Sequence, residues 1–200
     1  MASARKLGAQ NSKTRDALIK ATTQVMIDEG YAAVTTRRVA AEAGVNPALV
    51  YYYFATMDEL FLEVFRRGAE ANLERQRQSL SAERPLHALW EVSTGPFGAK
   101  LLMEFMALAN HRKDIRVEIA RYIERFREIQ QAAFTFLLRA QGVNVDDMPP
   151  VLLSIMLGSF ASILVNEQTL GIELGHAELT AFVERLIAGL EPPTPNSERT

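Results

Sequence analysis

Few residues of this chain have a type and spacing that could support catalysis or metal binding. The sequence has no cysteine, and its three histidines, His87, His111 and His176, do not have the spacing of metal ligands. The His-Glu-x-x-His pattern of zinc enzymes, the glycine-rich phosphate loop and the Gly-x-Ser-x-Gly nucleophile turn are all absent. The sequence therefore predicts neither an enzyme nor a protein with a metal or another cofactor.

Hydrogen-bonding side chains of another kind are concentrated between Thr35 and Phe54. Two threonines and two arginines lie near the start of this stretch, and three successive tyrosines, Tyr51 to Tyr53, lie near its end. A buried tyrosine needs a partner for its hydroxyl, and three in a row on a helix point in three directions. At least one of them must therefore face outward, which a helix that only packs in a core has no reason to require.

Two short helices separated by Gly44 are predicted to position these side chains. Thr35 or Thr36 can cap the first helix, and Gly44 follows where a helix ends in a left-handed residue. Asn46 and Pro47 favour the start of a second helix, as its cap and its first residue. The apolar positions are Val39, Ala40 and Ala43 on the first helix, Val45 as a buried plug, and Val50 and Phe54 on the second. The pattern is that of a helix-turn-helix, whose second helix enters a DNA major groove.

The same residues resemble the DNA-binding signature of TetR-family transcriptional regulators. The resemblance covers Thr35-Thr36-Arg37, Val39-Ala40, Ala43-Gly44-Val45 and Val50 to Phe54, together with Gly30-Tyr31 before them and Asp58-Glu59-Leu60 after them. It implies DNA contacts from Thr35, Thr36, Arg37, Asn46, Pro47, Ala48, Leu49, Tyr51, Tyr52 and Tyr53. Thr36, Tyr51 and Tyr53 match positions that touch phosphates, whereas Arg37 and Tyr52 match positions that approach bases or backbone. The family usually has a lysine where this chain has Met57, and a methionine cannot make that phosphate contact.

The chain is predicted to be all-α, with an N-terminal three-helix helix-turn-helix domain and a C-terminal helical bundle that binds a ligand and dimerises. The expected divisions are a disordered basic arm at 1–11 with Arg5 and Lys6, a DNA-binding domain at 12–55, a ligand-binding and dimerisation domain at 56–190, and a disordered tail at 191–200. Periodicity and break residues predict helices at about 12–29, 56–80, 86–93, 98–110, 114–140, 151–170 and 176–190. Residues 1–54 hold seven basic and four acidic side chains, whereas the whole chain has a net charge of −2. The positive end is the end that would meet phosphates.

Large apolar side chains after residue 85 predict a ligand pocket between helices. The candidates, with a few polar anchors among them, are Trp90, Phe97, Glu104, Phe105, Met106, Tyr122, Phe126, Gln130 and Phe134. Glu104 and His111 are seven residues apart and are expected on one helix face. The alternative for each apolar residue is an ordinary place in the helical core.

The stretch from Val151 to Leu170 is apolar nearly all round, so a helix there must be buried on every side. Its small residues permit close approach of another backbone, and with the last helix it resembles the two-helix face through which TetR-family chains dimerise. The predicted interface residues are Ser154, Gly158, Ser162, Phe182 and Leu186. The alternative is that this helix is the central helix of a monomer.

These patterns predict a homodimeric repressor that leaves a double-stranded DNA operator when it binds a small, largely apolar molecule. A ligand-activated activator and a helical protein–protein adaptor are the alternatives. The chain is expected in the cytoplasm, since it has no cysteine and begins without an apolar signal sequence. No membrane partner is expected, because the apolar run from Val151 to Val165 is shorter than a membrane span.

Overall fold

The computed structural model describes the backbone of residues 2–191 and the side chains of residues 12–95 and 100–191. These residues form α-helices, one short 3₁₀ helix at Tyr31–Ala33 and no strand, so the all-α prediction is confirmed. The helices are α1 Ala2–Glu29, α2 Thr36–Ala43, α3 Ala48–Tyr53, α4 Met57–Ser79, α5 Pro85–Thr94, α6 Pro96–Ala109, α7 Lys113–Ala140, α8 Pro150–Thr169 and α9 His176–Leu190. Of the predicted disordered tail at 191–200, Glu191 is instead buried and accepts a hydrogen bond from the Leu86 N–H, and residues 192–200 lie outside the described residues.

Helix α1 begins ten residues before its predicted start at residue 12. Its first residues contain neither proline nor a run of β-branched side chains, so the helix can extend through them. The side chains of Arg5 and Lys6, which the basic-arm prediction invokes, lie outside the described residues. That prediction therefore stays a prediction.

The chain divides into two compact units, the first made of residues 1–69 and 100–119 and the second of residues 70–99 and 120–200. The division differs from the predicted boundary at residue 55, because residues 100–119 pack with the N-terminal helices. Helices α4, α6 and α7 each contribute residues to both units.

The core of the first unit is built from one face of each of its helices. Leu18, Val25 and Met26 of α1 are buried together with Val39 and Ala40 of α2. The rings of Phe65 and Phe105 meet edge to face, with centroids 5.1 Å apart. On the surface, Glu63 of α4 accepts from Arg15 of α1 at 3.0 Å, and Arg67 donates to Asp16 at 2.6 Å. These contacts hold α1 against α4.

Glu104 of α6 holds the link between α1 and the 3₁₀ helix. Its Oε2 accepts a hydrogen bond from the Tyr31 N–H at 2.7 Å. Gly30, the residue before, has a φ of 84°, a left-handed conformation that favours glycine. A Cβ on Gly30 would lie 3.5 Å from the same carboxylate oxygen. The Glu104 carboxylate is therefore engaged in a structural contact of the first unit.

The core of the second unit brings α5, α7, α8 and α9 together. Its buried members include Trp90 of α5, Phe134 of α7, Leu157 of α8 and Ile187 of α9. At its edge, the buried Glu191 accepts from the backbone N–H groups of Leu86 at 3.0 Å and His87 at 3.3 Å. Because the first N–H groups of a helix have no partner within the helix, this carboxylate caps α5 from the far end of the sequence.

Helix α8 is longer than its apolar run suggested. It has 20 residues, and by length and composition alone a helix of this kind could cross a membrane, so the exclusion by length was wrong. A core helix passes the same test, and one side of α8, including Leu153, Leu157 and Ala161, is buried in the second unit. The helix is not buried on every side, because Leu152, Ile155 and Ile163 are exposed.

Candidate nucleic-acid interface

Helix α2 begins and ends as its sequence predicts. Thr35 is its cap, and the Thr35 hydroxyl accepts a hydrogen bond from the Arg38 N–H at 3.2 Å. Gly44 ends the helix in the left-handed region with a φ of 65°, and the Val45 N–H donates to the Ala40 carbonyl at 3.0 Å. Such a closure satisfies carbonyl groups that the helix leaves without partners.

The turn into α3 is fixed by Asn46. Its side-chain oxygen accepts from the Ala48 N–H at 2.8 Å and satisfies the first N–H of the helix, although the cap position is Pro47 and not the predicted Asn46. The helix itself begins at Ala48, one residue after the predicted Pro47. Val50 and Phe54 are buried and anchor the helix, whereas Val45 is only half-buried and is not the predicted plug. Val45 lies in a turn that follows Gly44, where only one side can face the core.

The outer face of the helix-turn-helix carries most of the predicted contact residues. Tyr51 is 62% exposed and Tyr52 is 67% exposed, although both are large aromatic side chains. The Tyr52 and Tyr53 rings meet edge to face at 4.9 Å. The other exposed members are Thr35, Arg37, Asn46, Pro47 and Ala48, while Thr36, Leu49 and Tyr53 are half-buried.

One hydroxyl pair joins the two helices at this face. The Thr36 hydroxyl donates to the Tyr51 hydroxyl oxygen at 3.1 Å. The sulfur of Met57 lies 3.6 Å from the same threonine oxygen. Tyr51 is therefore held in one orientation at the surface, with its hydroxyl hydrogen available to an outside acceptor.

Two adjacent arginines of α2 have different surroundings. Arg38 is bound by Glu29 at 2.6 Å and by Glu42 at 2.9 Å. These carboxylates raise the pKa of the Arg38 guanidinium, with the hydrogen bond to Glu29 as the largest cause. Arg37 is exposed and has no ion pair or hydrogen bond with any residue of the described part of the chain. Of the two, Arg37 has its charge available for an external anion.

The start of α4 follows the predicted capping box with one change. The Thr56 hydroxyl accepts from the Glu59 N–H at 3.1 Å, as expected. The Glu59 carboxylate accepts from the Ala55 N–H at 2.8 Å, one residue before the cap. These bonds fix the entry of α4 directly after α3.

The predicted ligand residues fall into both units. Glu104, Phe105 and Met106 belong to the first unit: the carboxylate holds Tyr31, the Phe105 ring is core, and Met106 is 50% exposed. His111 follows the end of α6 at Ala109, so it does not share a helix face with Glu104. Trp90, Tyr122, Phe126, Gln130 and Phe134 belong to the second unit. The side chain of Phe97 lies outside the described residues.

Polar contacts in the second unit include residues that the sequence did not single out. The Tyr122 hydroxyl donates to Asn72 Oδ1 at 3.0 Å, and burial raises the pKa of Tyr122 to about 12. Gln130 Nε2 donates to Gln76 Oε1 at 3.1 Å, and the Ser154 hydroxyl donates to Gln130 Oε1 at 2.6 Å. Gln76, Gln130 and Ser154 are all buried. Asn72 and Gln76 lie in a charged stretch of α4 whose pattern predicts a solvated face, so no sequence signal pointed to them.

Four of the five predicted interface residues lie toward the surface of the second unit. Ser162 and Phe182 are exposed, and Gly158 and Leu186 are half-buried. A Cβ on Gly158 would meet no atom within 4 Å. Ser154 is different, since its side chain is 2% exposed and bonds to Gln130, so it belongs to the core of its own unit.

Among the residues whose side chains are described, no group of three His, Asp or Glu could hold a metal ion. At the helix-turn-helix, the described side chains that can bond to a partner instead carry hydroxyl, amide and guanidinium groups. Such groups donate to phosphate oxygens and to base edges.

The fold and this surface define a helix-turn-helix protein. Residues 18–64 match the family model of bacterial regulatory proteins, tetR family. The HTH-type transcriptional regulator TcmR of Streptomyces glaucescens is 26% identical over 147 residues, which cover 68% of this chain and 63% of that protein. The HTH-type transcriptional regulator BetI of Rhizobium meliloti is 40% identical over 52 residues, 26% of either chain. Over residues 18–64 this chain is therefore similar to the N-terminal region of tetR-family regulators, and both curated relatives are transcriptional regulators.

The aligned segments span less than two-thirds of the length of these curated relatives. Similarity of fold extends further. A Saccharomonospora viridis protein, described as a transcriptional regulator and solved in complex with choline, has a TM-score of 0.75 at 20% identity. The match covers 88% of this chain and 96% of that one. At this identity the likeness shows the fold alone.

Proposed function

We propose that this protein is a cytoplasmic, homodimeric repressor that binds double-stranded operator DNA and is released by a small, largely apolar ligand. The observation that carries the proposal is an exposed Arg37 that has no ion pair with any described residue and lies on a helix-turn-helix with two exposed tyrosines. An exposed arginine and large aromatic side chains on one face can bind DNA. They can contact its phosphates and the edges of its bases.

The proposed DNA contacts come from both helices of the motif. Helix α3 enters the major groove, with Asn46, Pro47, Ala48 and Leu49 at its entering end. The Tyr51 hydroxyl, oriented by Thr36, is suited to a phosphate oxygen. Thr35 and the helix α2 N-terminus supply further donors beside Arg37. The net positive charge of residues 1–54 supports this orientation.

The proposed dimer uses α8 and α9 of each protomer. Leu152, Ile155 and Ile163 on α8 and Phe182 on α9 are exposed, which leaves apolar area open to water. The half-buried Gly158 lies on the same helix and allows another backbone to come close. Two reading heads in one dimer fit an operator with two half-sites.

The proposed ligand site lies in the second unit, around Tyr122, Phe126 and Gln130. The ring centroids of Tyr122 and Phe126 are 6.1 Å apart on one face of α7, and Gln130 lies one turn further. The choline complex of the Saccharomonospora viridis protein supports the idea that this fold accommodates a small molecule. Helix α4 carries Met57 beside Thr36 at one end and Asn72 toward the other. A ligand that prefers one position of this helix would shift the population of DNA-binding states.

The test starts from selection of binding sites out of random duplex DNA by the full chain. A near-palindromic consensus with two half-sites is expected. A transcription reporter carrying that site should be silenced by the protein, which separates a repressor from an activator. Recovery of no enriched sequence, with the folded protein, would remove DNA recognition from the proposal.

A further inference from the structure

One buried donor of the second unit lacks an acceptor within the described part of the chain. Gln76 is 1% exposed, and its Nε2 has no hydrogen-bond partner among the described residues. A buried amide N–H without an acceptor is costly, and such groups are rare in folded proteins. This buried N–H group therefore needs a hydrogen-bond acceptor.

The orientation of the Gln76 amide follows from a directed chain of hydrogen bonds. The Ser154 hydroxyl donates to Gln130 Oε1, and Gln130 Nε2 donates to Gln76 Oε1. Gln76 thus offers its oxygen to Gln130, and its two N–H groups have no acceptor among the described residues. The chain joins α8, α7 and α4, so the donor is fixed by three helices and not by one flexible side chain.

The surroundings of this donor favour a neutral ligand group. Among the described residues, the buried polar side chains of the second unit are Gln76, Ser79, Gln130, Ser154 and Glu191, none of them a cation, and Arg75, whose charge acts on Tyr122, is exposed to solvent. A carboxylate at the Gln76 nitrogen would be buried without a compensating charge, which is expensive. A cationic ammonium has no lone pair for an N–H to bind. A neutral carbonyl oxygen needs only the donor that Gln76 provides.

We propose that Gln76 is the specificity-determining donor of the ligand site and that the ligand presents a neutral carbonyl oxygen on an otherwise apolar body. The inference rests on the proposed ligand site, and it names the chemical class that this site takes. The apolar body lies against Tyr122 and Phe126, which share one α7 face with Gln130 at steps of four residues. Gln130 and Ser154 are positioning residues that hold the Gln76 amide.

Acetophenone and ethylbenzene test this inference, because they differ by a carbonyl in place of a methylene. NMR titration of the full chain should give about tenfold tighter binding of acetophenone, the value of one buried hydrogen bond between neutral groups. The carbonyl stretch of bound acetophenone should lie below its value in hexane. Gln76→Leu should abolish the preference for the ketone, whereas Gln78→Leu, an exposed glutamine on the same helix, should keep it.

Equal binding of the two probes by the parent, binding of neither, or a ketone preference that survives Gln76→Leu would overturn the assignment. The comparison of probes on the parent needs no variant, so it stands even if Gln76→Leu does not fold. Operator binding by the parent is measured in the same preparation without a probe. Intact operator binding with no ketone preference removes the carbonyl class alone, whereas loss of operator binding removes the proposed function itself.

Discussion

Arg37 and Arg38 are neighbours in sequence, yet their charges are in different situations. Arg38 lies between Glu29 and Glu42, and its guanidinium is already satisfied by carboxylates of the same unit. Arg37 faces outward with no such partner in the described part of the chain. The charge of Arg38 therefore stabilises the fold, whereas the charge of Arg37 can bind DNA.

We expect Arg37→Ala to weaken binding to a selected operator by about 1–3 kcal/mol, as loss of a bidentate contact to guanine does. Arg38→Ala is the matched control, and we expect it to change operator binding far less because its partners are internal. Fluorescence anisotropy with labelled duplex at fixed salt measures both. Parent-like affinity of the Arg37 variant would remove this residue from the proposed interface.

Tyr122 makes a pH-dependent contribution that can be measured by itself. Burial raises its pKa to about 12, whereas a tyrosine in the unfolded chain ionises near pH ~10. The folded state holds the proton more firmly, so the stability present below pH ~10 should be lost as pH rises toward ~12. The difference in absorbance at 295 nm between the parent and Tyr122→Phe should show this late transition. A transition near pH ~10, the ordinary pKa of a tyrosine, would contradict the burial of Tyr122.

At the scale of elements, the helix ends of this chain are closed both by neighbours and by distant residues. Thr35, Asn46 and Thr56 each accept a hydrogen bond from an N–H group two or three residues later, at the start of the following helix. Glu191 caps α5 from a position 105 residues away from Leu86. The long-range cap by Glu191 joins two parts of the second unit and also satisfies the first N–H groups of α5.

Glu191→Ala should destabilise the second unit by about 1–2 kcal/mol, since it leaves two N–H groups of α5 without their acceptor. Glu173→Ala, at an exposed position between α8 and α9, is the control and should shift stability by less than about 0.5 kcal/mol. Urea unfolding followed by the fluorescence of Trp90, the one tryptophan of the chain, gives both values. Equal stabilities for the two variants would show that the cap contributes nothing.

Local signals explain why most elements could be predicted from sequence. Thr35, Gly44 and Asn46 act within a few residues, so the boundaries of α2 and α3 were predicted to within one residue. The buried amides could not be predicted in this way. Gln76 lies in the stretch Glu74-Arg75-Gln76-Arg77-Gln78, whose composition indicates a solvated helix face. Its burial depends on α7 and α8, which the local pattern does not contain.

At the scale of the whole molecule, the proposed dimer depends on the outer sides of α8 and α9. Exposed Ile155, Ile163 and Phe182 leave an apolar surface that a second copy of the chain can cover. We therefore expect a dimer at micromolar concentration.

Gly158→Arg tests that dimer without disturbing the protomer. A side chain at Gly158 meets no atom of its own protomer within 4 Å, so the change should be tolerated in the monomer. In a close-packed interface the unpaired charge would be expensive. Sedimentation velocity should show monomers for Gly158→Arg and dimers for Gly158→Ala. A parent chain that sediments as a monomer, or an arginine variant that dimerises as tightly, would contradict this interface.

The proposed release of DNA by a ligand carries a requirement of reciprocity. If the ligand weakens operator binding by about a hundredfold, or about 2.7 kcal/mol, the operator must weaken ligand binding by the same factor. Calorimetric titrations of one ligand with and without operator duplex measure both sides. Identical ligand affinities in the two titrations would remove the allosteric link and leave DNA binding in place.

The bond from Glu191 to the α5 backbone has a consequence for how the chain folds as it is synthesised. Helix α2 contacts α1 before it and α3 after it, over short distances in sequence, so these contacts can form early on the ribosome. The second unit cannot complete its contacts until residue 191 has left the exit tunnel, since Glu191 bonds to the start of α5. The DNA-reading helices are thus expected to become ordered before the unit that carries the proposed dimer and ligand surfaces, which would assemble only after residue 191 has emerged.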